Sequence, residues 1–249
     1  MALLTISFTN LSAQTTTNPY FEILEYQGVP VASMNALDTY LEKALLPALH
    51  RQGIQNVGVF RSKAETEGAV SFFVLLPLQR PQSLAELLAS LQRDTEFHQA
   101  GQEYFLTDPK KPIYQRMRSE LLVGFDCMPN IAVPKQKKEN KDRLFELRTY
   151  ESATERMGAL KVEMFNSGEV PIFLDCGIQP VFFGQAIIGD KLPNLTYMTV
   201  YDNEEQMNEC WKKFREHPEW KKLSQQEKYQ GTVSKIHKTL LLPRPYSQL

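Results

Sequence analysis

Six residues, Phe145-Glu146-Leu147-Arg148-Thr149-Tyr150, alternate strictly between the two faces of an extended strand. A near copy, Phe21-Glu22-Ile23-Leu24-Glu25-Tyr26, stands 124 positions earlier. The same offset relates Pro47 to Pro171, Gly53-Ile54 to Gly177-Ile178, and Val57 to Val181. An offset held across a strand, a helix and a turn points to internal duplication of a unit of roughly 100 residues. The chain is therefore expected to divide into a leader over 1–18, a first unit over 19–125, a linker over 126–142 and a second unit over 143–249. The linker carries two prolines and the run Lys135-Gln-Lys-Lys-Glu-Asn-Lys141, which reads as solvated.

Within the first unit, the strand over 21–26 is closed by the turn signal Gly28-Val29-Pro30. Apolar residues at 37, 40, 41, 44 and 45 have helical spacing, and this helix is expected to kink at Pro47 and end at Gly53. Strands follow over 54–60 and 69–76. Ser83-Leu-Ala-Glu86 has the form of a capping box opening a second helix, with a short further helix over 94–102 and a last strand over 121–125. The second unit repeats the order: a strand over 145–150, a helix over 154–174 with a weak point at Asn166-Ser-Gly168, strands over 181–188 and 195–201, a helix over 204–216 and a strand over 236–242. Each unit reads β-α-β-β-α-β, the ferredoxin-like signature. One such unit covers a single face of its sheet, and two can close their sheets on each other. The expected fold class is thus α+β: two tandem ferredoxin-like repeats forming an intramolecular dimeric α+β barrel. If Phe145 and Leu147 face the helices, Glu146, Arg148 and Tyr150 face the space between the sheets.

A net charge of −1, and aromatic residues not interleaved with basic runs, argue against a nucleic-acid partner. No apolar run approaches the roughly 20 residues of a membrane span. Cys127, Cys176 and Cys210 are odd in number and far apart, which reads as free thiols. His50, His98, His217 and His237 are isolated, so neither metal nor any other cofactor is expected. Haem is disfavoured for want of a His on an inward strand face, His237 coming nearest. The apolar start Met1–Phe8, followed by Leu11-Ser-Ala-Gln14, resembles the end of a signal peptide without a basic region. Export and a plain N-terminal tail both remain open readings.

Phe-Glu-Leu-Arg-Thr-Tyr, then Gly177-Ile-Gln-Pro-Val181, then Phe214-Arg-Glu-His-Pro-Glu-Trp220, resemble the NIPSNAP family of the dimeric α+β barrel group. The second half resembles it over about 143–245. The first half resembles a diverged copy, with Leu24 in place of the strand Arg and no His-Pro-Glu-Trp run. The wider superfamily includes cofactor-free monooxygenases, haem enzymes and stress-response proteins, so the resemblance implies a fold more than a reaction.

Candidate catalytic residues are Arg148 as fork donor, Tyr150 as hydroxyl donor and His217 as a base oriented by Glu219. The bland counterparts are a structural Glu146–Arg148 pair, and a helix start in which Pro218, Glu219 and Trp220 serve capping and core. Candidate ligand-binding residues are Glu146, Arg148, Tyr150, Tyr197, Tyr201 and Trp220; the aromatic ones either line a pocket for a flat molecule or simply fill the barrel. Two functions follow. One is a protein that binds a small apolar or aromatic molecule, or a protein partner, with a homodimer also open. The other is a cofactor-independent monooxygenase or isomerase acting between the sheets.

Overall fold

The computed structural model describes residues 19–137, 139–140 and 142–249, so the leader expected over 1–18 lies outside the described residues. The first half runs β1 (Tyr20–Pro30), α1 (Met34–Tyr40), a π-helical turn (Leu41–Leu45), α2 (Leu46–Arg51), β2 (Gly58–Ser62), β3 (Ala69–Leu78), α3 (Gln82–Arg93), α4 (Thr95–Ala100), α5 (Gln102–Phe105) and β4 (Arg116–Gly124). The second runs β5 (Leu144–Glu151), α6 (Glu155–Met164), a π-helical turn (Phe165–Glu169), α7 (Val170–Asp175), β6 (Gln179–Ile188), β7 (Asn194–Tyr201), α8 (Glu204–Glu216), α9 (Pro218–Ser224) and β8 (Lys235–Pro243).

All eight strands join one closed antiparallel barrel in the order β1-β3-β2-β8-β5-β7-β6-β4. Each half contributes four neighbouring strands, and two seams stitch the halves together. At one seam Phe60, Arg61 and Ser62 of β2 pair with Pro243, Leu242 and Leu241 of β8. At the other β4 pairs with β6, and Gly184 faces Gly124. A Cβ on Gly184 would stand 2.8 Å from Leu122 Cβ, so this seam closes only around glycine.

The interior is apolar and shared. Phe21, Phe60 and Phe73 from the first half pack with Phe145, Leu147 and Phe182 from the second. Ring centroids of Phe21 and Phe182 are 5.2 Å apart, and those of Phe60 and Phe145 are 4.7 Å apart. This reverses the expected face assignment. Phe145 and Leu147 point into the barrel, whereas Tyr150 packs with the helix residues Phe165 and Trp211, and Glu146 and Arg148 share its face. The space between the sheets is a packed core, as an eight-stranded barrel has room for little else.

Local differences have local causes. β1 does not stop at Gly28 but slips register between Tyr26 and Val29 and pairs with β3 to Pro30, a bulge in place of a turn. The strand expected over 54–60 starts at Gly58, because Gly53 and Asn56 both take left-handed backbone (φ 77° and 57°). Ser83 caps nothing; α3 starts at Gln82, and Glu86 pairs with Arg80 at 2.7 Å. The helical runs continue through both prolines. Each follows a π turn, Leu41–Leu45 before Pro47 and Phe165–Glu169 before Pro171, at the same offset of 124. The wider turn absorbs the bond that proline cannot donate. Gly53 and Gly177 end the two helical runs with φ near 77° and 80°. Between the halves, Ala132 donates to Val181 O at 2.8 Å and Ile131 packs against the barrel interior. Among the described residues no helix is long and apolar enough to cross a membrane.

Because both tryptophans belong to the second half, their emission reports whether the halves unfold together. Phe21→Ala, a change in the first half, is expected to lower stability by about 3–5 kcal/mol. Urea unfolding followed by circular dichroism and by tryptophan emission should shift to the same lower midpoint by both probes. A tryptophan transition left at the wild-type midpoint contradicts a shared core.

Candidate ligand-binding site

Four ionisable side chains are buried together between the second-half sheet and its helices. Glu146 and Arg148 come from the helix-facing side of β5, Lys161 from α6, and Glu169 from the π turn. Their exposures are 4%, 7%, 4% and 2%. They lie along a cleft of about 640 Å³ that Tyr150, Trp211, Phe214 and Trp220 also line, with Arg215 and Lys238 at its exposed rim.

The pairing is specific. Arg148 Nη1 donates to Glu146 Oε1 at 2.9 Å, and Trp211 Nε1 donates to Glu146 Oε2 at 2.7 Å, so both oxygens of Glu146 are engaged. The Arg148 guanidinium lies 4.2 Å from the Trp211 ring centre, a stacked cation–π arrangement. Its Nε is buried without a hydrogen-bond partner. Lys161 Nζ donates to Glu169 Oε2 at 2.6 Å and sits among the rings of Phe165 (4.6 Å), Trp220 (5.5 Å) and Tyr150 (5.7 Å). The hydroxyls of Tyr150 and Tyr197 bond to each other at 2.9 Å.

Burial pushes the Glu169 carboxyl above its ordinary range, with Lys161 pulling the other way. Burial likewise raises the Tyr150 and Tyr197 hydroxyls, which stay protonated donors at neutral pH. For Arg148, burial acts against the charge, but Tyr197, Tyr150 and Glu146 outweigh it and hold the guanidinium above its usual value.

The π turn explains how Glu169 reaches this place. α6 starts with a Thr154 cap accepting from Met157 N at 3.3 Å and carries Lys161 inward. An ordinary helix advances about 100° per residue. The wider turn over Phe165–Glu169 shifts that register and leaves Glu169 buried at its end, bonded to Lys161 eight residues back. The first half has the same order of strands and a π turn before a proline, with other side chains. At the offset of 124, Glu22, Leu24, Leu37 and Leu45 stand for Glu146, Arg148, Lys161 and Glu169. Leu37 and Leu45 belong to an apolar core with Tyr26 and Tyr40. Glu22 accepts from Ser119 at 2.6 Å, and burial raises its pKa.

Of the candidates named from sequence, Glu146, Arg148, Tyr150 and Trp220 line the cleft. Tyr197 and Tyr201 are fully buried beneath it and contribute packing, Tyr197 also through its bond to Tyr150. His217 is elsewhere: it precedes α9 and its Nδ1 accepts from Glu219 N at 3.3 Å, so it is a cap and not a partner of Arg148 and Tyr150. Glu219 is exposed beside Lys222. His237, on the barrel-facing side of β8, pairs with Glu151 at the barrel end. Lys161 and Glu169 escaped notice because two charges eight apart on a helix look like an ordinary solvated face. Comparing the halves residue by residue, with leucine opposite each, was the signal available. Among the described residues no group of three or more His, Cys, Asp or Glu side chains is placed to hold a metal ion.

The two ion pairs are built so that single deletions are costly. Lys161→Met strands Glu169 and is expected to lower stability by about 3–5 kcal/mol. The double change Lys161→Leu/Glu169→Leu, which copies the first half, should recover most of that loss in urea unfolding. A double variant less stable than the single one contradicts the pairing.

The fold and the second half both have recognisable relatives. A candidate monooxygenase of Fusobacterium nucleatum subsp. nucleatum superposes with a TM-score of 0.59 at 9% identity, covering 91% of this chain and 93% of its own. A candidate monooxygenase of Lactobacillus acidophilus gives 0.59 at 12% identity, covering 91% and 94%. An anthrone oxidase-like protein gives 0.52 at 7% identity, covering 91% and 92%. At such identities the likeness is one of fold, the dimeric α+β barrel. No curated protein matches the chain in sequence. The NIPSNAP family model matches residues 145–248, the half that holds the charged cleft. Residues 145–248 of this chain thus match the NIPSNAP family, and the first half closes them into a dimeric α+β barrel.

Proposed function

We propose that the chain binds a small molecule with a flat, largely apolar body in the helix–sheet cleft of its second half. One observation carries this reading: an aromatic-lined cleft of about 640 Å³ holds buried Arg148, Lys161 and Glu169 where the first half has leucines. Buried ion pairs are often neutral or costly to stability against packed hydrophobic residues. Retaining two of them beside an opening fits a recognition site better than a structural one. Trp211, Trp220 and Tyr150 supply flat surfaces, and Arg148 and Lys161 supply donors.

The fold likeness to candidate monooxygenases favours a second reading, cofactor-independent oxygenation or isomerisation of such a molecule. That chemistry would belong to this cleft and not to the filled barrel interior. Arg148 and Tyr150 would hold a developing oxyanion, and His217 would take no part. Oxygen uptake or product formation on adding a bound aromatic compound distinguishes this reading from binding alone.

The chain's two tryptophans both line the cleft, so occupancy should be visible in their emission. Titration with 2-naphthamide and 2-naphthoate is expected to quench or shift that emission saturably for at least one of them. Val233→Phe, which crowds the cleft lining, should weaken the effect by about tenfold or more, a loss of roughly 1.4 kcal/mol. Emission unchanged by both compounds, or unaffected by Val233→Phe, counts against the cleft.

A further inference from the structure

We propose that the ligand of this cleft is a flat carboxylic acid, bound as its anion between Arg148 and Lys161, and that Glu169 takes up one proton as the anion enters. The inference rests on the cleft being the binding site and adds the chemical class of its ligand and the charge balance of binding.

Donors of both buried cations are left over in the cleft. Both oxygens of Glu146 are engaged, one by Arg148 and one by Trp211. Arg148 Nε has no partner, although the residue is more than nine-tenths buried. Lys161 has three N–H donors; one serves Glu169, and the other polar contact is a weak one to Met164 Sδ at 3.4 Å. The exposed charges at the rim are Arg215 and Lys238, neither in an ion pair among the described residues. The approach and the floor therefore both favour an anion. A carboxylate matches the guanidinium fork and leaves an aromatic body against Trp211 and Trp220.

Charge balance supplies the second part. The buried set Glu146, Arg148, Lys161 and Glu169 sums to zero with every group ionised. An anion makes it −1 in a poorly solvated place, next to a carboxylate that burial already disfavours. The groups facing Glu169 are Lys161 from α6, Arg148 and Tyr150 from β5, and Tyr197 from β7. Glu146 is locked by its two donors, and the tyrosines are neutral. Glu169 is thus the group able to relieve the excess, with a proton drawn from the buffer onto its carboxylate oxygen. Lys161 is then released from its counter-ion to serve the ligand. No other bond changes.

The sign is fixed by linkage. Where Glu169 is ionised in the free protein and protonated in the complex, affinity falls as pH rises, by about tenfold per pH unit. Below its free-protein pKa the dependence flattens, until the ligand itself is protonated. Calorimetry of wild-type protein with 2-naphthoate, in two buffers of different ionisation enthalpy, should show uptake of about one proton. The neutral 2-naphthamide should bind at least about tenfold more weakly and without uptake. Glu169→Gln, checked for native circular dichroism, should bind 2-naphthoate with no uptake and little pH dependence. Naphthoate binding without proton uptake, uptake that persists in Glu169→Gln, or naphthamide binding as tightly as naphthoate overturns the proposal while leaving the cleft reading intact. If neither compound alters tryptophan emission, the cleft reading falls, and this inference falls with it.

Discussion

Closure of eight strands around one cluster of large apolar side chains is the constraint on which everything else in this chain depends. Two four-stranded sheets with exposed edges would each invite further pairing. Here the β2–β8 and β4–β6 seams use those edges on each other, and Phe21, Phe60, Phe145 and Phe182 fill the space that closure leaves. A filled interior has a corollary. The middle of the barrel therefore leaves little room for a ligand, and the cleft that holds the charged set lies on the outer face, beneath the helices. The helices then decide whether that face is sealed or open.

The two halves answer that question differently on the same backbone. Both have a π turn before a proline, and both end the helix at a left-handed glycine. In the first half the residues under the helices are leucines with Tyr26, Tyr40 and Tyr104, and the stacked Tyr40 and Tyr104 rings, 3.7 Å apart, help seal the face. In the second half Arg148, Lys161 and Glu169 take those places, and a cleft stays open above them. The charged set is paired from within, with Arg148 Nε left over: each carboxylate has a cation, each cation has rings at its back, and Trp211 takes the remaining oxygen of Glu146. Such a set is rigid because loosening any one member strands another.

Much of this was legible in the residues. Strand alternation, the common offset and the helix spacing led to the element order and to the closed α+β barrel. What alternation does not contain is a direction. In a barrel wrapped by helices both faces of a strand are buried, and β7 is buried at all eight positions from Asn194 to Tyr201. Hydrophobicity then cannot say which face is inner, and Glu146, Arg148 and Tyr150 look as well suited to one side as to the other. The polar residues tipped the expectation the wrong way, since a cavity between sheets was the natural home for them. His217 misled for a different reason. Its ring nitrogen performs a backbone task, and a capping histidine before proline carries the same letters as a catalytic one. Ser83 shows the converse, a capping pattern whose helix starts two residues early.

The unequal halves bear on stoichiometry. A barrel assembled from two identical copies carries each outer face twice, and events at one face can then influence its twin. In this chain the counterpart of the open cleft is packed with leucine and tyrosine, so the barrel has one such cleft and not two. On the proposed reading each barrel is then either filled or empty, without the partly filled states through which a symmetric pair could respond in a graded way. The first half thereby becomes a permanent wall for the second, always present at a ratio of one to one because the same chain carries both.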